Sequence, residues 1–274
     1  MPTAALAFAL TGAFLHAGWN TLLARSDDTR ATTAVALVAA VVVFAPLALL
    51  TWQVSLAALP YVGVSALLEL CYFGLLATAY RRAEMSLIYP LARGLGPCFV
   101  LALSVALLGV RLPTLGILGV LLVALGIVLV RGGGRPSGRL EVGLTVAIAA
   151  CTAGYTLIDK AGLRYAEPLP YFWLVTALTS GGYVAALLIS RGSRALQGSL
   201  RPSAVLAGLA MFAAYSFALA ALQIAPAAPV AAVRETSVVI ATALGALVLH
   251  ERVDGGRIAG ALLVVLGVVA LALA

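Results

Sequence analysis

Charged residues are scarce in this sequence. Asp, Glu, Lys and Arg make up 10% of its 274 residues, whereas hydrophobic residues make up 63%. This composition excludes a soluble globular domain, which needs many more polar side chains to cover its surface. Of the 17 basic residues, 15 are spread among several short loops rather than clustered on one polar face. That distribution excludes a nucleic-acid-binding protein.

Motifs of nucleotide hydrolysis and of catalysis are also missing. The sequence has no GxxxxGK[ST] loop, so ATP cannot drive the protein directly. Its two histidines, His16 and His250, lie in different apolar segments, and neither GxSxG nor HExxH occurs. We therefore expect no enzyme, no metal and no cofactor. The three cysteines lie within apolar runs and are expected to remain free thiols.

Long apolar runs, in contrast, fill the chain, whose mean hydropathy is +1.11. A helix needs about 20 apolar residues to cross a bilayer, and lipid admits only helices and closed barrels. The runs do not alternate with polar residues, so we predict an all-α integral membrane protein. Ten transmembrane helices are predicted, at 4–24, 32–52, 59–80, 85–109, 113–131, 142–162, 170–190, 203–222, 227–249 and 256–274.

The second half of the chain repeats the first. The segment at 93–112, RGLGPCFVLALSVALLGVRL, aligns with RETSVVIATALGALVLHERV at 234–253, a shift of 141 residues. AGWNTL at 17–22 likewise aligns with AGYTLI at 153–158. We predict two five-helix repeats, 1–136 and 137–274. Because five is odd, the second repeat enters the membrane upside down.

Basic residues favour one side of the membrane. Odd-numbered loops hold 12 of the 17 and even-numbered loops hold 3; the other two, Arg93 and Arg234, lie inside spans. The positive-inside rule places odd loops in the cytoplasm and both termini outside.

Several of these segments resemble a known family. YPLARGLGP (89–97), VRETS (233–237), the loop HERV and GYTLIDKAG (154–162) are similar to the EamA type of the drug/metabolite transporter superfamily, and within it to amino-acid exporters of the YddG kind. The resemblance implies two EamA repeats, a central cavity between them and export of small metabolites across the bacterial inner membrane. One departure is Val110, which replaces the acid of the family's Gly-Glu-Arg loop in the first repeat.

Polar and aromatic side chains inside the predicted spans are the candidates for a substrate cavity, because lipid rejects such groups. In helix one they share one face at i, i+3 and i+4. The alternative for each is a structural contact between helices. The candidates are His16, Trp19, Asn20, Glu69, Tyr72, Tyr89, Arg93, Tyr155, Tyr215, Arg234 and Ser237.

The charged candidates raise further alternatives. An ionised carboxylate at mid-bilayer costs about 2.5 kcal/mol or more, so Glu69 is expected to pair with Arg93, to be a proton-coupling site, or to be neutral and structural. Arg93 and Arg234 are expected either to meet a substrate carboxylate or to tether helices. Asp159 is interpreted as an interfacial anchor, and Tyr171 as part of an aromatic interface belt.

The fourth helix contains two prolines and two glycines around Arg93. We predict a helix break at Pro90, Gly94, Gly96 and Pro97, which would expose backbone groups near a binding site. Close helix packing through the glycines is the alternative.

These features favour a secondary transporter that works by alternating access. Its expected partners are a small-molecule substrate, with amino acids foremost, and the lipid bilayer. A multidrug or organic-cation exporter and a passive facilitator remain alternatives. A monomer is expected, and a homodimer through helices five and ten stays open.

Overall fold

The computed structural model describes residues 1–82, 85–130, 138–193, 196, 198–249 and 255–274. At 80–82, 85–87, 89, 90 and 244–249 it describes the backbone alone. Tyr89 and Pro90 therefore lie outside the residues with described side chains, and the loop HERV lies outside the described residues altogether.

Apart from an isolated bridge between Val54 and Ala166, the regular secondary structure of the described residues is helical. Its α-helices are α1 (Thr3–Ala24), α2 (Thr29–Leu50), α3 (Leu59–Arg82), α4 (Met85–Leu108), α5 (Thr114–Val130), α6 (Arg139–Gly162), α7 (Pro168–Arg191), α8 (Pro202–Ile224), α9 (Ala227–Arg234), α10 (Thr236–Leu249) and α11 (Gly255–Leu273). Within the described segments, eight helices are long and apolar enough to cross a membrane, and α5 is a shorter apolar helix. The predicted all-α fold is confirmed, and the predicted ninth span is divided into α9 and α10.

Local sequence signals set several helix starts. The Asp28 side chain accepts hydrogen bonds from the backbone N–H groups of Arg30 (3.1 Å) and Ala31 (3.2 Å), which caps α2. Helices α7 and α8 begin with Pro168 and Pro202, where the missing proline N–H would have had no intrahelical partner.

The two halves of the sequence pack against each other along most of their helices. α1 lies against α8, α3 and α4 lie against α6, and α2 lies against α7 and α8. The largest buried cluster draws residues from both halves, including Val100, Phe212 and Leu219. The core therefore lies between the halves rather than within either one.

Glycines bring α5 and α11 into backbone contact. A Cβ on Gly126 would lie 2.6 Å from the carbonyl oxygen of Gly260, and one on Gly267 would lie 2.7 Å from that of Gly119. Contacts so close leave no room for a side chain on either helix. The two helices thus use their glycine faces on each other, within one chain.

The predicted break in the fourth helix is not found. α4 runs from Met85 to Leu108 without interruption. Prolines and glycines are tolerated in such a helix because neighbouring helices support it, and Gly94 lies against the backbone of α5, where an added Cβ would be 3.1 Å from the Ala124 carbonyl oxygen.

A break occurs in the second half instead, between α9 and α10. The N–H of Glu235 donates to the carbonyl of Ala232 at 3.0 Å, three residues back, as in a 3₁₀ turn. The Thr236 hydroxyl donates to the Val233 carbonyl at 2.8 Å. Such side-chain hydrogen bonds compete with the helical backbone pattern, so a threonine rather than a proline marks this break.

The glycine contact predicts a selective cost of adding a methyl group. Gly126→Ala should destabilise the protein by about 1–3 kcal/mol, because α5 and α11 must separate. Gly143→Ala on α6 is the matched control, since a Cβ there meets nothing within 4 Å. Unfolding of both variants in mixed lipid–detergent micelles measures the difference, and equal stabilities would contradict the packing role.

Candidate functional site: a cavity between the two halves

A cavity of about 800 Å³ opens between the halves. Its inner end lies within the bundle, and its mouth is at the α1–α2 loop, where Asp27 and Asp28 line it. Six of the predicted site residues line this cavity: His16, Trp19, Asn20, Tyr72, Arg93 and Ser237. Because they come from α1, α3, α4 and α10, only the folded bundle brings them together.

Arg93 is the charged group at the inner end of the cavity. Its Nε lies 2.8 Å from Oε2 of Glu235, with the two side chains 11% and 7% exposed. Its Nη2 donates to the Ser237 hydroxyl at 3.0 Å and lies 3.2 Å from Nε2 of His16. A guanidinium can only donate, so His16 must accept at Nε2. Arg93 thereby joins α1, α4 and the α9–α10 turn.

Glu69 does not pair with Arg93, contrary to the salt bridge considered from the sequence. Its Oε2 accepts a hydrogen bond from the Thr179 hydroxyl of α7 at 3.1 Å. Glu235 takes its place as the partner of Arg93. Successive residues of a helix point about 100° apart, so Arg234 and Glu235 face different surroundings.

Three tyrosines form an aromatic cluster that begins at the cavity wall with Tyr72, called here the tyrosine cluster: Tyr72, Tyr155 and Tyr215. The ring centroids of Tyr72 and Tyr155 are 6.3 Å apart, and those of Tyr155 and Tyr215 are 5.9 Å apart. The Arg234 guanidinium lies 4.6 Å from the centroid of the Tyr215 ring. The cluster thus leads from the cavity wall to Arg234.

Asp159 and Tyr171 are buried, so their interpretation as interfacial residues is wrong. Both are 0% exposed. Asp159 accepts hydrogen bonds from the hydroxyls of Tyr215 (2.6 Å) and Tyr171 (3.0 Å). The reason is that the last turns of α6 pack against α7 and α8, so that Asp159 faces Tyr171 and Tyr215 rather than the membrane surface. The two tyrosine hydroxyls provide the hydrogen bonds that the Asp159 carboxylate needs and that lipid cannot supply.

The end opposite the mouth is closed by contacts between loops. Val54 and Ala166 form an antiparallel bridge, and the Glu167 N–H donates to the Gln53 carbonyl at 3.0 Å. The Lys160 ammonium donates to the carbonyls of Leu222 and Ala225 at the end of α8. The cavity is therefore open at one face of the bundle and closed at the other.

Residues 139–273 match a protein-family model described as the EamA-like transporter family. The chain contains an EamA-like transporter domain. A solved structure, described only as a crystal structure of a protein, superposes with a TM-score of 0.77 at 17% identity and covers 100% of this chain and 98% of its own. That likeness shows a shared fold. No curated protein matches the sequence.

Over residues 139–273 the match is thus to a family of transporters rather than of enzymes. With its apolar helices, the chain is a multi-pass membrane protein. The EamA-like domain supplies Arg234, Glu235 and Ser237, while Arg93 reaches this domain from the first half of the chain.

Not every predicted residue reaches the cavity. Glu69, Tyr155, Tyr215 and Arg234 do not line it. Tyr155 contacts the lining residue Tyr72, Tyr215 contacts Tyr155, and Arg234 stacks on Tyr215. Sequence reasoning missed Glu235, Asp159 and Thr179 as partners. A signal existed for Glu235, because it directly follows an arginine within a predicted span and must therefore face a different partner. Nothing local indicates that Thr179 faces Glu69.

The Arg93–Glu235 pair should behave as a unit. Arg93→Gln should destabilise the protein by about 3–5 kcal/mol, because it leaves a buried carboxylate without its cation. The double variant Arg93→Gln/Glu235→Gln should recover most of that loss, since no charge stays buried. Unfolding free energies in mixed micelles give the coupling.

An exposed ion pair provides the control for this cycle. Arg201 and Asp27 lie 3.1 Å apart with side chains 61% and 84% exposed, so Arg201→Gln should cost about 1 kcal/mol or less. Additive effects of the two substitutions in the buried pair would show that its charges do not depend on each other.

Proposed function

We propose that this protein is a secondary transporter that exports amino acids by alternating access between its two halves. The observation that carries the proposal is the cavity of about 800 Å³ between the halves, open at one face and closed at the other, with a buried ion pair at its inner end. Such a cavity is large enough for a metabolite. Access from one face at a time is the geometry that alternating access requires.

The glycine contacts support two inverted repeats. The 141-residue shift places Gly119 on Gly260 and Gly126 on Gly267. Gly119 contacts Gly267. When each of these residues is replaced by its counterpart in the other half, the pair becomes Gly260 and Gly126, and these two residues are also in contact. A twofold relation between 1–136 and 137–274 accounts for this reciprocity. Rocking of one repeat against the other then exchanges the open and closed faces.

Charge distribution supports the direction of export. The mouth of the cavity lies beside Arg30 and Arg191, on the side of the odd-numbered loops, which the positive-inside rule assigns to the cytoplasm. In this orientation the protein lies in a bacterial plasma membrane with its cavity open to the cytoplasm and both termini outside. Cargo would then enter the cavity from the cell.

The chemistry of the site favours an amino acid as cargo. Trp19 and Tyr72 line the cavity and the tyrosine cluster continues behind it, which suits an apolar or aromatic side chain. Partly buried groups of both signs within the spans, such as Arg234 and Glu69, suit a zwitterion. These features also agree with the resemblance to amino-acid exporters seen in the sequence.

Reconstitution in liposomes tests the proposal. Vesicles loaded with an unlabelled amino acid should accumulate the same labelled amino acid by counterflow, and an aromatic amino acid should give the largest signal. The panel should include nucleosides and organic cations. Counterflow of organic cations alone would replace the proposal by multidrug export, and equilibration without counterflow would indicate a passive facilitator.

Proton coupling through Glu69 makes a separate prediction. Charged or titratable groups of four helices surround it, namely Tyr155 and Asp159 of α6, Tyr171 of α7, Tyr215 of α8 and Arg234 of α9. Glu69→Gln keeps the size of the side chain but cannot exchange a proton. A proton gradient should therefore increase amino-acid uptake by the wild-type protein, whereas uptake by the Glu69→Gln variant should be the same with and without the gradient.

The control for this measurement is Glu167→Gln, an exposed carboxylate before α7, which should respond to the gradient as the wild type does. A Glu69→Gln variant that keeps the full gradient response would remove Glu69 from the coupling mechanism.

A further inference from the structure

The two intramembrane arginines occupy different electrostatic situations. Arg93 has a carboxylate, a hydroxyl and a histidine nitrogen around it. Arg234, in contrast, forms no hydrogen bond and no ion pair with any described residue; its contact is the face of the Tyr215 ring, 4.6 Å away. A guanidinium carries five N–H donors in its plane, so stacking on a ring leaves all of them available.

Repeat symmetry explains why Arg234 has no partner on α4. The 141-residue shift that relates Arg93 to Arg234 relates Gly94 to Glu235. Position 94 therefore holds no carboxylate for Arg234, and a Cβ there would already lie 3.1 Å from the Ala124 carbonyl oxygen and 3.2 Å from a Val128 methyl. Arg93 is thus neutralised by Glu235, whereas Arg234 has no corresponding carboxylate on α4.

The carboxylates that interact electrostatically with Arg234 are engaged elsewhere. Glu235 pairs with Arg93. Both oxygens of Asp159 accept hydrogen bonds from tyrosine hydroxyls, and Oε2 of Glu69 accepts one from Thr179. They contribute a field at Arg234 but no contact. Its donors still need acceptors, because unsatisfied polar groups are costly in a membrane interior.

We infer that Arg234 is the anchor for the carboxylate of the cargo, whereas Arg93 is a structural group. The inference rests on the proposed transport function and assigns the substrate class, carboxylate-bearing compounds, to one residue. A guanidinium binds a carboxylate through two parallel hydrogen bonds, a geometry that a single hydroxyl or ammonium group lacks. Arg234 is partly exposed, and the tyrosine cluster links it to the cavity wall at Tyr72.

Substrate analogues test this role on the unchanged protein. L-phenylalanine, L-phenylalaninamide and 3-phenylpropionate share one ring, but the amide lacks the carboxylate and the propionate lacks the ammonium. As competitors of labelled phenylalanine counterflow, the propionate should remain effective and the amide should be about 10- to 100-fold weaker, the range expected for a charge-assisted hydrogen bond.

Substitution locates the effect at Arg234. Arg234→Gln should weaken phenylalanine about 10- to 100-fold and abolish its advantage over the amide, and Arg234→Lys should lie between the variant and the wild type. Arg111→Gln, an exposed arginine in the α4–α5 loop, is the control and should change nothing. If Arg234→Gln does not reach the membrane, the analogue series on the wild type decides alone.

The failures of the two proposals are distinguishable. Phenylalanine and its amide competing equally in the wild type, or Arg234→Gln keeping full discrimination, would overturn the role of Arg234 and leave amino-acid transport standing. Counterflow of organic cations without any amino acid would overturn both.

Discussion

The buried ion pair between Arg93 and Glu235 is the interaction on which the arrangement of the two halves depends. Arg93 comes from the first half and Glu235 from the second, and their side chains are almost entirely withdrawn from solvent. Each charge alone would be costly inside a membrane, so neither helix can move away without its partner. Because Ser237 and His16 complete the shell of Arg93, the pair also fixes α1 and α10, and with them the inner end of the cavity.

The turn between α9 and α10 makes this pair possible. It places Arg234 at the C-terminal end of α9 and Glu235 directly before the N-terminus of α10. A cation at a helix C-terminus and an anion at an N-terminus are both stabilised by the helix dipole. A continuous helix would offer neither advantage. The interruption therefore lowers the free-energy cost of placing two opposite charges in the middle of a hydrophobic span. Glu235 faces Arg93, and Arg234 faces the tyrosine cluster.

Much of this fold could be predicted from the sequence, because lipid demands long apolar helices and the chain supplies them. The site was harder to predict. His16, Trp19 and Asn20 share one helical face, so their common cavity follows from local spacing, whereas the partner of Arg93 depends on how α4 lies against α9 and α10. Local rules also misplaced two features. Pro90 and Pro97 suggested a break in a helix that its neighbours keep intact, and the position of Asp159 near a helix end concealed its burial against Tyr171 and Tyr215.

Under the proposed twofold relation of the repeats, packing and charge would follow different symmetries. That relation exchanges the two glycine contacts of α5 and α11 with each other, whereas it relates Glu235 to Gly94 and so generates no second ion pair. If a transporter is to exchange its open and closed faces, its packing must serve both arrangements, and symmetric packing does so. A charge that binds the cargo must not have a symmetric partner in the protein, because a cation that is already paired with a protein carboxylate binds an anionic ligand weakly. Under the proposed role of Arg234, closing the site without cargo would bury an unpaired guanidinium, which is costly. The missing carboxylate at position 94 would thus make closure depend on the cargo.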